Sequence, residues 1–274
     1  MELQAFGLIN WLVLGAYLCA NIVLGFVLSK KVTTADDFFV GQRNIPWWAI
    51  GISGVATYVS ALSFLGGPAW AYTEGLSVIA IHLNYPLVIF IVVAFFLPFF
   101  FNSGVASIYE YLEKRFGPTS RGLIAAIFLV SQTLTSAAVL YATALVLEFI
   151  TGMPVIYAII IITLIGLIYT IMGGLAAVIW TDVIQALILL VGALIITVSL
   201  INNLSLPLGE TLEILKSEGK TNPLNFSFDT TQVSTVWTGV IAMTLFHITV
   251  YGANQMMVQR TLASKNIGDA KKSF

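Results

Sequence analysis

Long apolar runs with few charges recur along this sequence and constrain its fold more than any other feature. A helix needs about 20 apolar residues to cross the roughly 30 Å of hydrocarbon in a bilayer, and each run is long enough to do so. Membrane β-strands would instead be short and alternate in polarity. We therefore predict an all-α integral membrane protein with about seven transmembrane helices, near residues 6–28, 47–73, 77–101, 122–150, 154–173, 177–201 and 235–258.

Composition agrees with a membrane protein, and no sequence motif supports an enzyme. Hydrophobic residues make up 58% of the 274 residues and charged residues 9%, compared with about 25% charged residues in soluble domains. The first apolar run lacks a basic start and a small-residue cleavage site, so we expect it to remain as a span. Cys19 is the only cysteine, which excludes an internal disulfide. No nucleotide-binding loop, catalytic triad or paired-carboxylate site is recognisable in the sequence.

The basic residues predict how the chain crosses the membrane. Lys and Arg are retained on the cytoplasmic side, and alternate loops here carry ten of the twelve basic residues. This asymmetry predicts an external amino terminus, a cytoplasmic carboxyl terminus and an extracytoplasmic loop over residues 202–234. The ten are Lys30, Lys31, Arg43, Lys114, Arg115, Arg121, Arg260, Lys265, Lys271 and Lys272; the other two are Lys216 and Lys220. The segment 107–117 reads as a short amphipathic helix at the membrane surface.

The second predicted span contains hydroxyls and helix breakers in "ATYVSALSFLGGPAWAY", residues 56–72. On a regular helix, one stripe would contain Ser53, Ala56, Ser60, Ser63 and Gly67, so the hydroxyls should face a common neighbour. Close helix packing is one explanation of such a stripe. The alternative is an interrupted helix, whose freed carbonyls offer oxygen ligands to a cation beside a wet cavity. The Gly66-Gly67-Pro68 sequence favours interruption.

Other polar residues within the spans are candidates for a site. An acid inside a span is costly, so Asp182 is either a site residue or a cap at the start of the sixth span. His82 and His247 are either hydrogen-bonded core residues or contacts for a solute. Gln132 and Thr135 could line a cavity or join helices. Tyr251, Asn254 and Gln255 could bind a solute or another helix.

Three motifs in this order and at these separations resemble the sodium:solute symporter family along essentially the whole chain. They are "SIYEYLEKRFG", "GGLAAVIWTDVIQ" and "YGANQMMVQRTLASKN". The resemblance implies a leucine-transporter-type fold, in which a leading helix precedes two inverted five-helix repeats. It also implies a sodium-coupled symporter that works by alternating access, with Na+ as the coupling ion and a small-molecule solute as the cargo.

The same resemblance implies roles for individual residues. The carbonyls of Ala56 and Val59 match the family's sodium-ligating positions, and Asp182 matches an acid linked to sodium. Ser60, Ser63 and Phe64 match the stretch that contacts the solute. Further positions align with the solute pocket of the family: His82, Gln132, Thr135, Tyr251, Asn254 and Gln255.

Two departures from the family narrow the expected solute. Position 58, an acid in proline-type carriers, is Tyr58, and position 135, basic in sialic-acid-type carriers, is Thr135. We therefore leave the solute open between a small organic anion and a sugar. The sequence also ends after the first helix of the implied second repeat. The resemblance then predicts a single transmembrane domain over residues 1–274 that is the amino-terminal part of a symporter; the alternative is a truncated membrane module without transport activity.

Overall fold

The computed structural model describes residues 6–30, 32–105, 107–229 and 231–274. Lys31, one of the basic residues used for the orientation, lies outside these ranges. Most of the described residues are helical. Extended pairing among them is limited to one isolated bridge, between Ile45 and Ser264. The predicted all-α class is therefore confirmed.

The described residues up to His82 contain four α-helices and two 3₁₀ segments, the first of which is Gly41–Arg43. Helix α1, which packs against α9, is followed by the short helix α2, and α3 and α4 are consecutive. A 3₁₀ segment, Gly75–His82, extends α4. The bounds are α1 Leu8–Ser29, α2 Ala35–Val40, α3 Trp47–Tyr58 and α4 Ala61–Glu74.

The middle of the chain contains the longest helices. A π-helical turn, Val92–Phe96, joins α5 to α6. The predicted amphipathic segment forms helix α7, which starts at the cap Ser107 and packs against α8. The bounds are α5 Tyr85–Ile91, α6 Leu97–Ser103, α7 Ile108–Phe116, α8 Pro118–Thr151 and α9 Val155–Asn202.

The last part contains an amphipathic helix and an interrupted helix. Helix α10 lies in the predicted extracytoplasmic loop. Two π-helical turns, Thr238–Ala242 and Thr249–Ala253, flank α11, and α12 follows directly. The bounds are α10 Leu208–Ser217, α11 Met243–Ile248, α12 Gln255–Leu262 and α13 Ile267–Ser273.

Four helical stretches within the described residues are long and apolar enough to cross a membrane: Leu8–Ser29, Leu62–Ser103, Pro118–Thr151 and Val155–Asn202. Three of them, with 42, 34 and 48 residues, are longer than one crossing requires. Helix α9 has 48 residues, which at 1.5 Å per residue would extend for roughly 72 Å, more than twice the hydrocarbon thickness. The chain is therefore a multi-pass membrane protein, and the count of seven spans stays a prediction.

A kink at Gly174 divides α9, in the gap between the predicted spans 154–173 and 177–201. Gly174 has φ 57° and ψ −151°, which lies outside the helical region. A Cβ atom at this position would lie 2.5 Å from the Phe38 carbonyl oxygen of α2. Glycine is therefore required both by the backbone conformation and by the close approach of α2.

The main core lies where α3 meets α9 just beyond this kink. Ala49 and Ile50 of α3 pack against Ile179 and Val183 of α9, and Ala263 covers them from the end of α12. A second cluster joins α5 and α6 to α13, and a third joins α6 to α12. These contacts fix α3, α9 and α12 relative to one another, and the candidate site lies among them.

Candidate ion and solute site

The second predicted span is interrupted, and the interruption lies at Val59 and Ser60. Helix α3 ends at Tyr58, Val59 is extended with φ −91° and ψ 102°, and Ser60 is extended before α4 begins. The Val59 amide donates to the Ala56 carbonyl at 3.2 Å. Ser60 caps α4 by accepting from the Ser63 amide at 3.4 Å, and the Ser63 hydroxyl accepts from the Ser60 amide at 3.5 Å. This reciprocal capping lets a new helix start within the span.

Gly66, Gly67 and Pro68 do not form the interruption. They lie within α4, which continues through Pro68 to Glu74. Pro68 has no amide hydrogen, so it cannot donate the bond that the Phe64 carbonyl would accept in a regular helix. The cap at Ser60 therefore sets where the chain leaves the first helix, and the glycines and proline only weaken the second.

The predicted stripe of hydroxyls with a common neighbour is wrong. Ser53 is buried and donates to the Asp182 carboxylate of α9 at 2.6 Å. Ser60 and Ser63 instead bond each other, and Ser63 also donates to the Tyr58 carbonyl at 3.2 Å. The stripe assumed a continuous helix, and the extended residues at the interruption change the direction in which α4 presents its side chains.

A cavity of about 710 Å³ lies beside the interruption. Its wall is mostly apolar and aromatic, and it includes four of the predicted site residues: Val59, Ser63, His82 and Tyr251. Tyr58, Trp70 and Tyr85 contribute further rings. A cavity of this size, with a few polar groups in an apolar wall, is typical of a site for a small molecule.

An aromatic and imidazole cluster forms one side of the cavity. The His82 ring stacks on Tyr85 with centroids 5.1 Å apart and lies 6.4 Å from the nearly parallel ring of His247. His247 is buried and bonds the Asn84 amide at 2.9 Å. Tyr251 lies edge-on to Tyr58 at 5.5 Å. The two histidines therefore differ in their surroundings. His247 is a hydrogen-bonded core residue, and His82 faces the cavity.

A second interrupted helix lies next to the first, since Tyr251 of this helix contacts Tyr58 at the end of α3. The π-helical turn that contains Tyr251 ends at Asn254, which is extended with φ −78° and ψ 130°. The Asn254 side chain accepts from the Met256 amide at 2.9 Å and so caps α12. Gln255 accepts from the Ile108 amide at 3.1 Å. Gln255 therefore contacts the start of α7, which agrees with the alternative that it binds another helix.

Eight predicted site residues are not among those that line the cavity, namely Ala56, Ser60, Phe64, Gln132, Thr135, Asp182, Asn254 and Gln255. Ala56 and Ser60 belong to the interruption itself, and Phe64 follows in α4. Gln132 and Thr135 lie on α8, where the Thr135 hydroxyl donates to the Ser131 carbonyl at 3.0 Å. Their assignment to a solute pocket stays a prediction.

Asp182 belongs to a buried charged network at the end of the cavity-lining helices nearest the Gly174 kink. Its Oδ2 accepts from Ser53 of α3 at 2.6 Å and from the Arg260 guanidinium of α12 at 3.0 Å. Arg260 also donates from Nε to the Ser53 hydroxyl at 2.9 Å and from Nη1 to the Met256 carbonyl at 3.1 Å. One carboxylate therefore joins three helices, and the cap alternative does not describe its surroundings.

Arg260 and Ser53 were not identified as site residues from the sequence. Arg260 was counted among the basic residues outside the membrane, yet its side chain is only 9% exposed. One signal was available, because a buried acid requires a cationic partner or a proton, and Arg260 is the basic residue that closes the last apolar run. No Lys or Arg lines the cavity within the described residues. These residues also contain no cluster of three or more His, Cys, Asp or Glu suited to a resident metal.

Two membrane helices that are interrupted beside a shared cavity define the class of membrane transporters with discontinuous helices. The comparisons with known proteins agree with this class. The model of the sodium:solute symporter family matches residues 38–274. The chain therefore belongs to the sodium:solute symporter family.

Relatives of this chain include carriers of different solutes. It is 35% identical to the sodium/sialic acid symporter of Proteus mirabilis, and the match covers 100% of this chain and 55% of that protein. It is 31% identical to the sodium-coupled monocarboxylate transporter 2 of Bos taurus, covering 99% and 44%. It is 30% identical to the sodium/glucose cotransporter of Vibrio parahaemolyticus, covering 97% and 51%.

A solved structure has the same fold. It is described as the substrate-bound outward-open state of a Na+-coupled sialic acid symporter, and it matches with a TM-score of 0.86 and 34% sequence identity. The match covers 98% of this chain and 56% of that one. This chain thus spans about half the length of the relatives it matches, and these relatives are transporters, not enzymes.

Proposed function

We propose that this chain forms the amino-terminal half of a sodium-coupled symporter that carries a small organic solute by alternating access. The observation that carries the proposal is the cavity beside the Val59–Ser60 interruption. It brings the predicted residues Val59, Ser63, His82 and Tyr251 together around a space large enough for a small molecule. In this proposal, the amino terminus is external and the loop over residues 202–234 is extracytoplasmic.

Sodium is the coupling ion in this proposal, and the interruption offers it oxygen ligands. The Ala56 carbonyl accepts one bond, from the Val59 amide, and a carbonyl oxygen has two lone pairs. Val59 is extended, so its carbonyl is no longer part of the α3 hydrogen-bond ladder. Asp182 would add a charged oxygen, because its described bonds all go to Oδ2. Unwound carbonyls together with a carboxylate suit a monovalent hard cation.

The solute class is limited by the charge of the wall. Cationic side chains are absent from the cavity wall in the described ranges, and Arg260 is committed to Asp182. The groups that remain are hydroxyls, one imidazole and aromatic rings. Such a wall suits the ring faces and hydroxyls of a sugar, or a small carboxylate that is bound by neutral donors. A small organic anion and a sugar both stay in the proposal.

Uptake by the full gene product, reconstituted in proteoliposomes, tests the proposal. Radiolabelled sugars and small carboxylates should accumulate under an inward sodium gradient and not when choline replaces sodium. Asp182→Asn and Ser60→Ala should lower uptake at least tenfold. Glu148→Gln is the matched control, because Glu148 is an acid near the end of α8 that is exposed at the protein surface. Equal uptake in sodium and in choline would refute sodium coupling.

A gene product that ends at Phe274 and carries no solute would instead support the alternative, a membrane module without transport activity.

A further inference from the structure

The carboxyl-terminal end of α4 is hydrogen-bonded to the loop that follows α10. The Leu76 amide, just beyond α4, donates to the Lys220 carbonyl at 2.7 Å. The Lys220 ammonium donates in turn to the Tyr72 carbonyl at 2.9 Å. Main chain and side chain of one lysine thus bond two consecutive turns at the end of α4. The bond between Lys220 and Tyr72 joins residues 148 positions apart.

The position of the Lys220 ammonium is favourable for two reasons. The last carbonyls of a helix have no partner within the helix, and the helix dipole favours a cation near them. The ammonium also lies 5.0 Å from the centre of the Tyr72 ring, within the range of a cation–π contact. Glu218 lies 3.8 Å away and completes the charged group.

Gly75 permits this contact. It has φ 70° and ψ −158°, a region that residues with a side chain rarely adopt. A Cβ atom at this position would lie 2.5 Å from the Lys220 carbonyl oxygen and 2.6 Å from the Lys220 Cα. The backbone of the loop therefore lies against α4 at the one position where no side chain intervenes.

Helix α4 connects this contact to the cavity. It supplies Leu62, Ser63, Gly66, Gly67 and Trp70 to the cavity wall. Its other end is the interruption at Val59 and Ser60, where the helical hydrogen bonds are absent and the chain can bend. A helix that can bend at its start depends for its position on the contacts along its length and at its other end. For α4 these contacts are with α8 and, at its carboxyl-terminal end, with the loop.

We propose that Lys220 is a positioning residue for solute binding. It contacts the end of α4 at Tyr72, Gly75 and Leu76, and we call this contact the Lys220 latch. The latch sets the position of α4 and thereby the width of the cavity. The effect on transport rests on the proposed function, whereas the effect on the position of α4 does not. The Lys220 side chain is 30% exposed, so water can replace its bonds and the latch can open and close during a transport cycle.

A distance measurement tests the latch without any need for transport. Spin labels at Thr73→Cys, at the end of α4, and Phe149→Cys, near the end of α8, are introduced into the purified full gene product, in which Cys19 and any further cysteine are replaced by alanine, and measured in nanodiscs. Lys220→Met should broaden the distance distribution, because α4 loses the bond to its last turn. Lys220→Arg should retain the narrow distribution, since arginine can donate to the same carbonyl and stack on the same ring.

Lys216→Met is the matched control, because it removes an exposed lysine of the same loop for which no bond to α4 is observed. A Lys220→Met distribution identical to that of the unsubstituted labelled chain would overturn the proposal. Equal broadening by Lys216→Met would also overturn it, because the effect would then come from loop charge in general.

Transport kinetics of the full gene product give a second, independent readout. A freer α4 occupies the binding-competent position less often, and the apparent affinity falls by that fraction. Lys220→Met should raise the half-saturation concentration for solute about two- to fivefold, equivalent to about 0.4–1 kcal/mol at 1.4 kcal/mol per tenfold. The maximum rate per molecule should change less, and Lys220→Arg should restore the affinity.

A fall in maximum rate with unchanged half-saturation would contradict a positioning role. Failure of every variant, and of the parent, to transport would count against the proposed function and leave the distance test to decide on the latch.

Discussion

The two ends of the helices that line the cavity are held in different ways. At the Asp182 end, α3, α9 and α12 are joined by Ser53, Asp182 and Arg260, whose side chains are almost excluded from solvent. At the loop end, α4 is attached to residues 218–220 through Lys220, which is partly exposed. One end is held by desolvated charges, and the other by bonds that water can replace.

The difference indicates where movement begins. Removing one partner of a buried ion pair costs about 3–5 kcal/mol, because the other charge remains buried, whereas an exposed pair contributes about 0–1 kcal/mol. We therefore expect the Asp182 end to stay assembled while α4 changes position at the loop end. The following predictions test this contrast, beginning with the largest effect.

Loss of Arg260 should be the most damaging single change at the Asp182 end. Arg260→Gln leaves the Asp182 carboxylate buried without its cation and should lower the free energy of unfolding by about 3–5 kcal/mol. Denaturant titration of the purified chain in mild detergent measures this. Arg115→Gln is the control, since Arg115 is an exposed arginine of α7 that bonds only the Tyr111 hydroxyl in the described structure.

The double variant Asp182→Asn/Arg260→Gln separates the unpaired charge from the lost packing. The double variant has neutral amides in place of both charged groups and leaves no buried charge. Its free energy of unfolding should therefore be higher than that of Arg260→Gln alone. Equal stability of Arg260→Gln and Arg115→Gln would remove the basis of the contrast between the two ends.

A side chain at Gly174 should disrupt the kink next to the Asp182 end. Gly174→Ala forces alanine into a left-handed conformation and places its Cβ against the Phe38 carbonyl. The free energy of unfolding, measured by the same denaturant titration, should fall by about 1–3 kcal/mol. Gly166→Ala is the matched control, because Gly166 lies in the same helix with open space around its Cβ position. It should be neutral or stabilising, and a loss equal to that of Gly174→Ala would contradict the assigned strain.

The sequence predicted the elements whose causes are local. Long apolar runs require membrane helices, and the kink in α9 lies in the gap between the predicted spans 154–173 and 177–201. An interrupted second span was among the alternatives, and the family resemblance pointed to the carbonyls of Ala56 and Val59. The residue pattern alone did not give this position, because it depends on whether the Ser60 and Ser63 caps compete successfully with a continuous helix. The glycines and proline that suggested the interruption lie inside α4.

The parts of the site that the sequence did not reveal depend on distant contacts. Asp182 was recognised as anomalous, but its partners Arg260 and Ser53 lie 78 and 129 positions away. The separation between Asn84 and His247 is 163 positions. Composition and spacing carry no information on such pairs. The Lys220 latch is a further example, because the sequence identifies Lys220 only as one of two basic residues in the predicted extracytoplasmic loop.

Removal of the cap at the interruption should have a smaller effect. Ser60→Ala eliminates the bond from the Ser63 amide, and loss of an N-cap costs about 0.5–2 kcal/mol. The bond is long and part-exposed, so the lower limit is expected. Hydrogen exchange at the amides of residues 61–64 should accelerate, whereas exchange in α3 should not. Ser29→Ala, an exposed serine that bonds the Phe26 carbonyl, is the control. Unchanged exchange at these amides would show that Ser60 does not hold the start of α4.

The smallest expected effect concerns the cap of α2, which lies beside the kink and outside the spans. The Thr33 hydroxyl and amide donate to the Asp37 carboxylate, and together with Thr34 they hold the pKa of Asp37 below its ordinary value. The carboxylate is thus favoured in the folded state. Its stabilisation is present above the unfolded pKa and is lost as the pH falls through the folded pKa. The protection factors of the α2 amides, which correct for the slower intrinsic exchange at low pH, should therefore fall below about pH 4, and Asp37→Asn should abolish that dependence. Thr33→Val removes the strongest donor and should move the transition to higher pH; an unmoved transition would show that these bonds do not set the pKa of Asp37.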